Sequence, residues 1–90
     1  MTAAPRNVRL LYFAWVREKI GRDAETVELP AEVATVADLV DWLLLRGTEY
    51  GEAFARRDVV RAAVDRAHVK PSAALGAARE VAFFPPVTGG

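Results

Sequence analysis

Thr35-Val36-Ala37-Asp38-Leu39-Val40-Asp41-Trp42-Leu43-Leu44 is the stretch that decides the fold. Val36, Leu39, Val40, Leu43 and Leu44 recur at i, i+3, i+4, i+7 and i+8, which builds one broad apolar helical face. Asp38, Asp41 and Arg46 fall elsewhere on the wheel. Thr35 is a good N-cap, and Asp38 lies near the positive end of the helix dipole. Gly47 is expected to stop the helix. A helix with a single apolar face must bury it against another layer.

The flanking segments supply that layer. Upstream, Glu25-Thr26-Val27-Glu28-Leu29 alternates polar and apolar, as a half-buried strand does, and Pro30 ends it. Val8-Arg9-Leu10-Leu11-Tyr12-Phe13-Ala14 is rich in strand formers and apolar on both faces, which predicts a central strand. Between them Trp15–Ile20 reads as a short helical turn with Gly21 at its C-cap. Downstream, Tyr50–Arg56 predicts a second, weaker helix and Val59–Val64 a third strand. Asp65-Arg66 fits a two-residue turn into a short strand over Ala67–Val69. A loop runs from Pro71 to about Arg79, and Glu80–Phe84 is the last strand. The expected fold class is α+β: one mixed β-sheet with one main helix packed across one face. The first and last strands are the most apolar, so they are expected adjacent, central and parallel. The expected domain spans 8–84, between a flexible tail at 1–7 and an extended tail at 85–90.

Composition bounds the chemistry. Ninety residues, 52% hydrophobic and 27% charged, suit one globular domain. Cysteine is absent, which excludes disulfides, a thiolate metal site and a nucleophilic thiol within these residues. His68 is the single histidine, so no two-histidine metal site can form, and no bound metal is expected. Twelve basic and twelve acidic side chains give no net charge, whereas a nucleic-acid binder normally carries a basic excess. Met1–Pro5 has neither the basic start nor the apolar stretch of a secretion signal. No apolar run approaches the roughly 20 residues of a membrane span. A cytoplasmic protein that binds neither nucleic acid nor membrane is expected.

Strand parity points to a working surface. With Val8, Leu10 and Tyr12 toward the helix, Leu11 and Phe13 face away. In the last strand Val81 and Phe83 point to the core, and Ala82 and Phe84 away. Leu11, Phe13, Ala82 and Phe84 then form an apolar patch that no helix covers, of the kind that marks partner sites.

The chain continues Pro85-Pro86-Val87-Thr88-Gly89-Gly90. Two prolines end sheet pairing and hold the chain extended. Two glycines present no side chains, so such a tail can thread a narrow channel. A terminal carboxylate, ionised at pH 7, can attack the α-phosphate of ATP to give an acyl-adenylate. Sulfide or an amine can then displace AMP.

These residues together resemble a known family. Val8–Ala14 with Val16-Arg17-Glu18, Thr35-Val36-Ala37-Asp38-Leu39, Ala63-Val64-Asp65 and, above all, Glu80-Val81-Ala82-Phe83-Phe84-Pro85-Pro86-Val87-Thr88-Gly89-Gly90 are similar to the small, sulfur-carrying subunit of molybdopterin synthase. The resemblance implies the ubiquitin-like β-grasp fold. It implies that Gly90 is adenylated by a ubiquitin-activating-type adenylyltransferase using ATP and Mg, with no cofactor bound by the carrier. A sulfurtransferase would convert Gly90 to a thiocarboxylate. The tail, Thr88 and Gly89 included, would enter the large catalytic subunit in a heterotetramer and pass sulfur to cyclic pyranopterin monophosphate for the molybdenum cofactor. Phe13, Arg17, His68, Phe84, Pro85 and Pro86 would form the partner interface. The carrier would supply no catalytic side chain. Two features depart from the family pattern: His68 stands where relatives commonly carry an apolar residue, and Leu75–Arg79 lacks the usual Asp-Gly-Asp turn. Other readings are a carrier for thiamine, cysteine or tRNA thiolation, a ubiquitin-like modifier joined to lysines, and a passive interaction module.

Overall fold

The two most apolar strands lie side by side at the middle of the sheet. A computed structural model of the chain describes residues 5–86. In it β1 (Arg6–Tyr12) and β5 (Glu80–Phe84) pair in parallel, with Leu10 opposite Val81 and Tyr12 opposite Phe83. Helix α1 (Ala14–Ile20) leads to β2 (Ala24–Leu29), which pairs antiparallel with β1. Helices α2 (Val36–Leu44) and α3 (Thr48–Ala53) follow, then β3 (Arg61–Val64) and β4 (Ala67–Val69). The sheet order is β2-β1-β5-β3-β4. This is the mixed sheet expected, with its first and last strands adjacent and parallel.

The core lies between the sheet and the helices. Val8, Leu10, Tyr12, Val81 and Phe83 meet Val16, Val36, Leu39, Val40 and Leu43, all essentially removed from solvent. Phe83 is the hinge of this packing: it stacks on Tyr12 at 6.3 Å between ring centroids and takes Phe54 edge-on at 5.1 Å. Helix α2 starts as its sequence dictates. Asp38 N–H donates to Thr35 Oγ1 at 3.1 Å, and Thr35 N–H donates back to Asp38 Oδ2 at 3.1 Å, a capping box. The Ala34 N–H, with that of Thr35, holds the Asp38 carboxyl below its usual range. Thr35→Ala is expected to cost about 1 kcal/mol of stability, read as a lower urea midpoint with an unchanged slope.

Several boundaries differ from the expectation. β1 begins at Arg6 because Arg6 and Asn7 pair with Leu29 and Glu28, so residues expected in a flexible tail are in the sheet. The Arg6 guanidinium also donates to the Val33 carbonyl at 2.8 Å. β1 ends before Phe13, since Ala14 has φ 53° and turns the chain into α1. Val59 and Val60 precede β3 rather than opening it. Gly47 does not stop α2: the helix closes on Leu45, and Gly47, in extended geometry, begins α3. Gly21 does cap α1, with φ 87° and its N–H on the Arg17 carbonyl at 2.8 Å. Asp65 and Arg66, at φ 46° and 74°, make the expected two-residue hairpin turn.

A polar lock ties β1, β2 and α3 together, and neither spacing nor periodicity announced it. Tyr12 and Tyr50 both donate their hydroxyls to Glu25 Oε2, the former at 2.7 Å. Arg22 and Arg46 approach Glu25 Oε1 at 3.0 and 3.5 Å. Burial pushes the Glu25 carboxyl up, but the hydroxyls of Tyr50 and Tyr12 and the cations of Arg46 and Arg22 more than offset this and hold it below its ordinary range. Burial, the hydrogen bond to Glu25 and its charge push Tyr50 up to about 12 and Tyr12 higher still.

Candidate functional site

The side of the sheet away from the helices carries the candidate site. Alternation sends Leu11 of β1 and Phe84 of β5 to this side, and both are half-buried. Ala82 lies between Leu11 on one flank and Ala63 of β3 on the other. Ala82 and Ala63, at 9% and 6% exposure, are covered by their neighbours, so the middle of the face is a low floor of small side chains. The exposed part of the patch is therefore its rim, not its centre.

Two expected interface residues meet there, and a third, Phe13, follows at the end of β1. Phe84 packs against His68, their rings 5.1 Å apart and tilted by 48°. His68 reaches this position because it stands opposite Ala63 in the β3–β4 hairpin. It is exposed, and its contact with Phe84 makes it part of the face rather than an unrelated surface histidine. Phe13 follows β1 in extended geometry, φ −125° and ψ 151°, which carries the alternation one residue further. Its N–H donates to the Phe83 carbonyl at 3.1 Å. The Phe13 side chain remains 47% exposed, among the most exposed large apolar groups in the described residues.

Arg17 lies four residues beyond Phe13, its N–H directed at the Phe13 carbonyl at 3.4 Å, and its side chain is exposed. Pro85 and Pro86 follow Phe84 directly and are half-buried. Thr88, Gly89 and Gly90 lie outside the described residues.

Parallel pairing of β1 and β5 explains why these groups converge. It puts the C-terminal ends of both strands, with Phe13 and Phe84, at one end of the sheet. β3 runs antiparallel to β5, so its first residue, Arg61, comes to the same end opposite Phe84. The root of the tail thus leaves the domain between aromatic and cationic side chains. Arg61 was not among the expected site residues. The signal was present: an arginine interrupts the apolar run Val59-Val60-Arg61-Ala62-Ala63-Val64 on the outward parity.

Comparison with known proteins decides what this surface belongs to. The family model described as the ThiS family matches residues 10–90. The chain belongs to the ThiS family. Among curated ThiS-like relatives, the molybdopterin synthase sulfur carrier subunit of Escherichia coli is 37% identical, over 92% of this chain and 99% of that protein. The molybdopterin synthase sulfur carrier subunit of Haemophilus influenzae is 32% identical over the same shares. Among solved structures, SAMP1 of Haloferax volcanii superposes with a TM-score of 0.69 at 26% identity, covering 94% of this chain and all of that one. The fold is the ubiquitin-like β-grasp. Among the described residues of this ThiS-family chain, no helix is long and apolar enough to cross a membrane.

Proposed function

We propose that this chain is the sulfur carrier subunit of molybdopterin synthase. The observation that carries the reading is the end-to-end likeness to two curated sulfur carrier subunits, on a chain whose Pro85-Pro86-Val87-Thr88-Gly89-Gly90 segment follows an apolar docking face. Gly90 is the reacting group. Its carboxylate oxygen attacks the α-phosphorus of ATP, held with Mg by an adenylyltransferase of the ubiquitin-activating type, and pyrophosphate leaves. Sulfur supplied by a sulfurtransferase at the sulfide level displaces AMP and leaves a thiocarboxylate. The large catalytic subunit then takes the tail, with Thr88 and Gly89 in its channel. The sulfur forms its bond to a side-chain carbon of cyclic pyranopterin monophosphate as an oxygen leaves that carbon. Water then cleaves the thioester, which restores the Gly90 carboxylate and leaves the sulfur on the pterin.

Phe13, Arg17, His68, Phe84, Pro85 and Pro86 hold the carrier on its partners during these steps. The carrier itself holds neither nucleotide nor metal, and the pathway runs in the cytoplasm. Two carriers and two large subunits make the heterotetramer.

Reconstitution tests the reading. The chain is incubated with ATP, activating enzyme, sulfur donor, large subunit and cyclic pyranopterin monophosphate. Dithiolene product is expected; a thiocarboxylate with no pterin turnover assigns the chain to another thiolation pathway, and isopeptide adducts on lysine make it a modifier. The likeness to SAMP1 makes the last outcome worth reading in the same experiment.

Phe84→Ala is expected to weaken binding to the large subunit roughly thirtyfold, about 2 kcal/mol as for an aromatic hot spot, with a smaller loss of stability. Titration calorimetry beside thermal melting checks this. A larger loss of stability than of binding would place Phe84 in the core.

A further inference from the structure

The arginines of this domain fall into two groups. Arg22, Arg46, Arg56 and Arg57 are each in ion pairs, with Glu25, Asp58 and Asp41 as partners. Arg9, Arg17, Arg61, Arg66 and Arg79 are exposed and, like the half-buried Arg6, make no ion pair among the described residues. Arg9 and Arg61 stand on the sheet face that carries the apolar patch, and Arg17 follows Phe13 beside it.

Within that group the positions differ. Arg9 sits in register with Glu80, so a carboxylate of the same sheet stands next to it. Arg61 sits in register with Phe84. The nearest acid in sequence, Asp58, is engaged by Arg56 at 3.8 Å. Arg61 is therefore a cation beside the aromatic group at the root of the tail, with no counter-charge supplied by its register partner. When a partner covers Phe84 it also removes water from Arg61. Desolvating an unpaired guanidinium costs several kcal/mol unless a carboxylate meets it. A partner that tolerates this surface must place an acid there, and one that presents a cation or only apolar groups is rejected.

We propose that Arg61 is a specificity-determining residue, which pairs with a carboxylate on the large subunit beside the opening that receives the tail. The inference rests on the carrier reading above and adds to it the chemistry of the partner's surface: an apolar seat for Phe13 and Phe84, with an acidic group at the edge nearest β3. Arg17 adds a second positive charge at the same end.

Stopped-flow association of the full chain with the large subunit, across a series of NaCl concentrations, tests the proposal. At low salt Arg61→Glu is expected to lower the association rate constant about tenfold. Arg61→Gln is expected to fall between it and the native chain, and Arg61→Lys to retain most of the rate. The differences should shrink as salt rises. Arg66→Glu, at the opposite end of β3 in the hairpin turn, is expected to bind as the native chain does. Arg61 is exposed, so these variants should melt as the native chain melts. Native association by Arg61→Glu at low salt would overturn the proposal. So would equal losses in Arg61→Gln and Arg61→Glu that ignore salt, since these would mean that only the apolar stem of Arg61 matters. Absence of binding by the native chain would instead overturn the carrier reading, and the proposal with it.

Discussion

A chain lacking Gly90 is expected to transfer no sulfur while melting as the native chain does. The two halves of this result come from different parts of the molecule. All sheet pairing of β5 ends at Phe84, and the core is closed by Val81 and Phe83. Gly90 comes six positions after Phe84 in the sequence. In the proposed mechanism the chemistry depends on it completely, because the reacting group there is the main-chain carboxylate of Gly90. Shortening the tail by one residue, about 3.3 Å of extended chain, withdraws the next carboxylate by the same distance. Reactions that need near-attack geometry lose orders of magnitude for a misplacement of 1 Å. Single-turnover transfer from a pre-activated carrier, beside circular-dichroism melting, reads both halves. Transfer by the shortened chain would remove Gly90 from its role.

The second large effect concerns stability. Glu25→Ala removes the acceptor shared by the Tyr12 and Tyr50 hydroxyls and the counter-charge of Arg22 and Arg46. Both tyrosines are buried in the native domain, and the truncation takes this acceptor from both hydroxyls. The expected loss is about 3 kcal/mol, roughly 15 °C in melting temperature for a domain of this size.

The same lock gives a pH dependence of definite sign. The folded Glu25 carboxyl is held below its unfolded value, with burial opposed and outweighed by Tyr50, Tyr12, Arg46 and Arg22. Its contribution is present above the ordinary glutamate pKa of about 4.3 and is lost as pH falls through the lower, folded value. Glu25→Gln is expected to flatten the acid side of the stability curve between native and variant. Urea midpoints from neutral pH downward check this; parallel curves for the two proteins would assign the acid loss to other carboxylates.

The sequence showed the parts of the fold that rest on periodicity and on turn chemistry. Val36, Leu39, Val40 and Leu43 on α2, the alternation in β2, the cap at Gly21 and the turn at Asp65-Arg66 each have a local cause and stand where expected, whereas Leu44, expected on the same apolar face, is exposed at the end of α2. The boundaries that shifted have non-local causes. Arg6 and Asn7 join the sheet only because β2 is there to pair with them, and Leu45 closes α2 before Gly47 is reached. Parity placed Leu11, Phe13, Ala82 and Phe84 on one face correctly. It did not show that Ala82 and Ala63 are small enough to be roofed by their neighbours, which leaves the rim as the accessible part. The Glu25 lock was hidden for a related reason. Tyr12, Glu25 and Tyr50 belong to three elements, and nothing in their spacing says that they converge.

The most direct measurement is the intact mass of the full chain after incubation with ATP, activating enzyme and sulfur donor, taken before and after the large subunit and cyclic pyranopterin monophosphate are added. The expected result is the replacement of one oxygen by one sulfur, mapped to Gly90, followed by return to the original mass as dithiolene forms. A chain whose mass never gains sulfur, or that gains it anywhere but Gly90, would contradict the carrier mechanism.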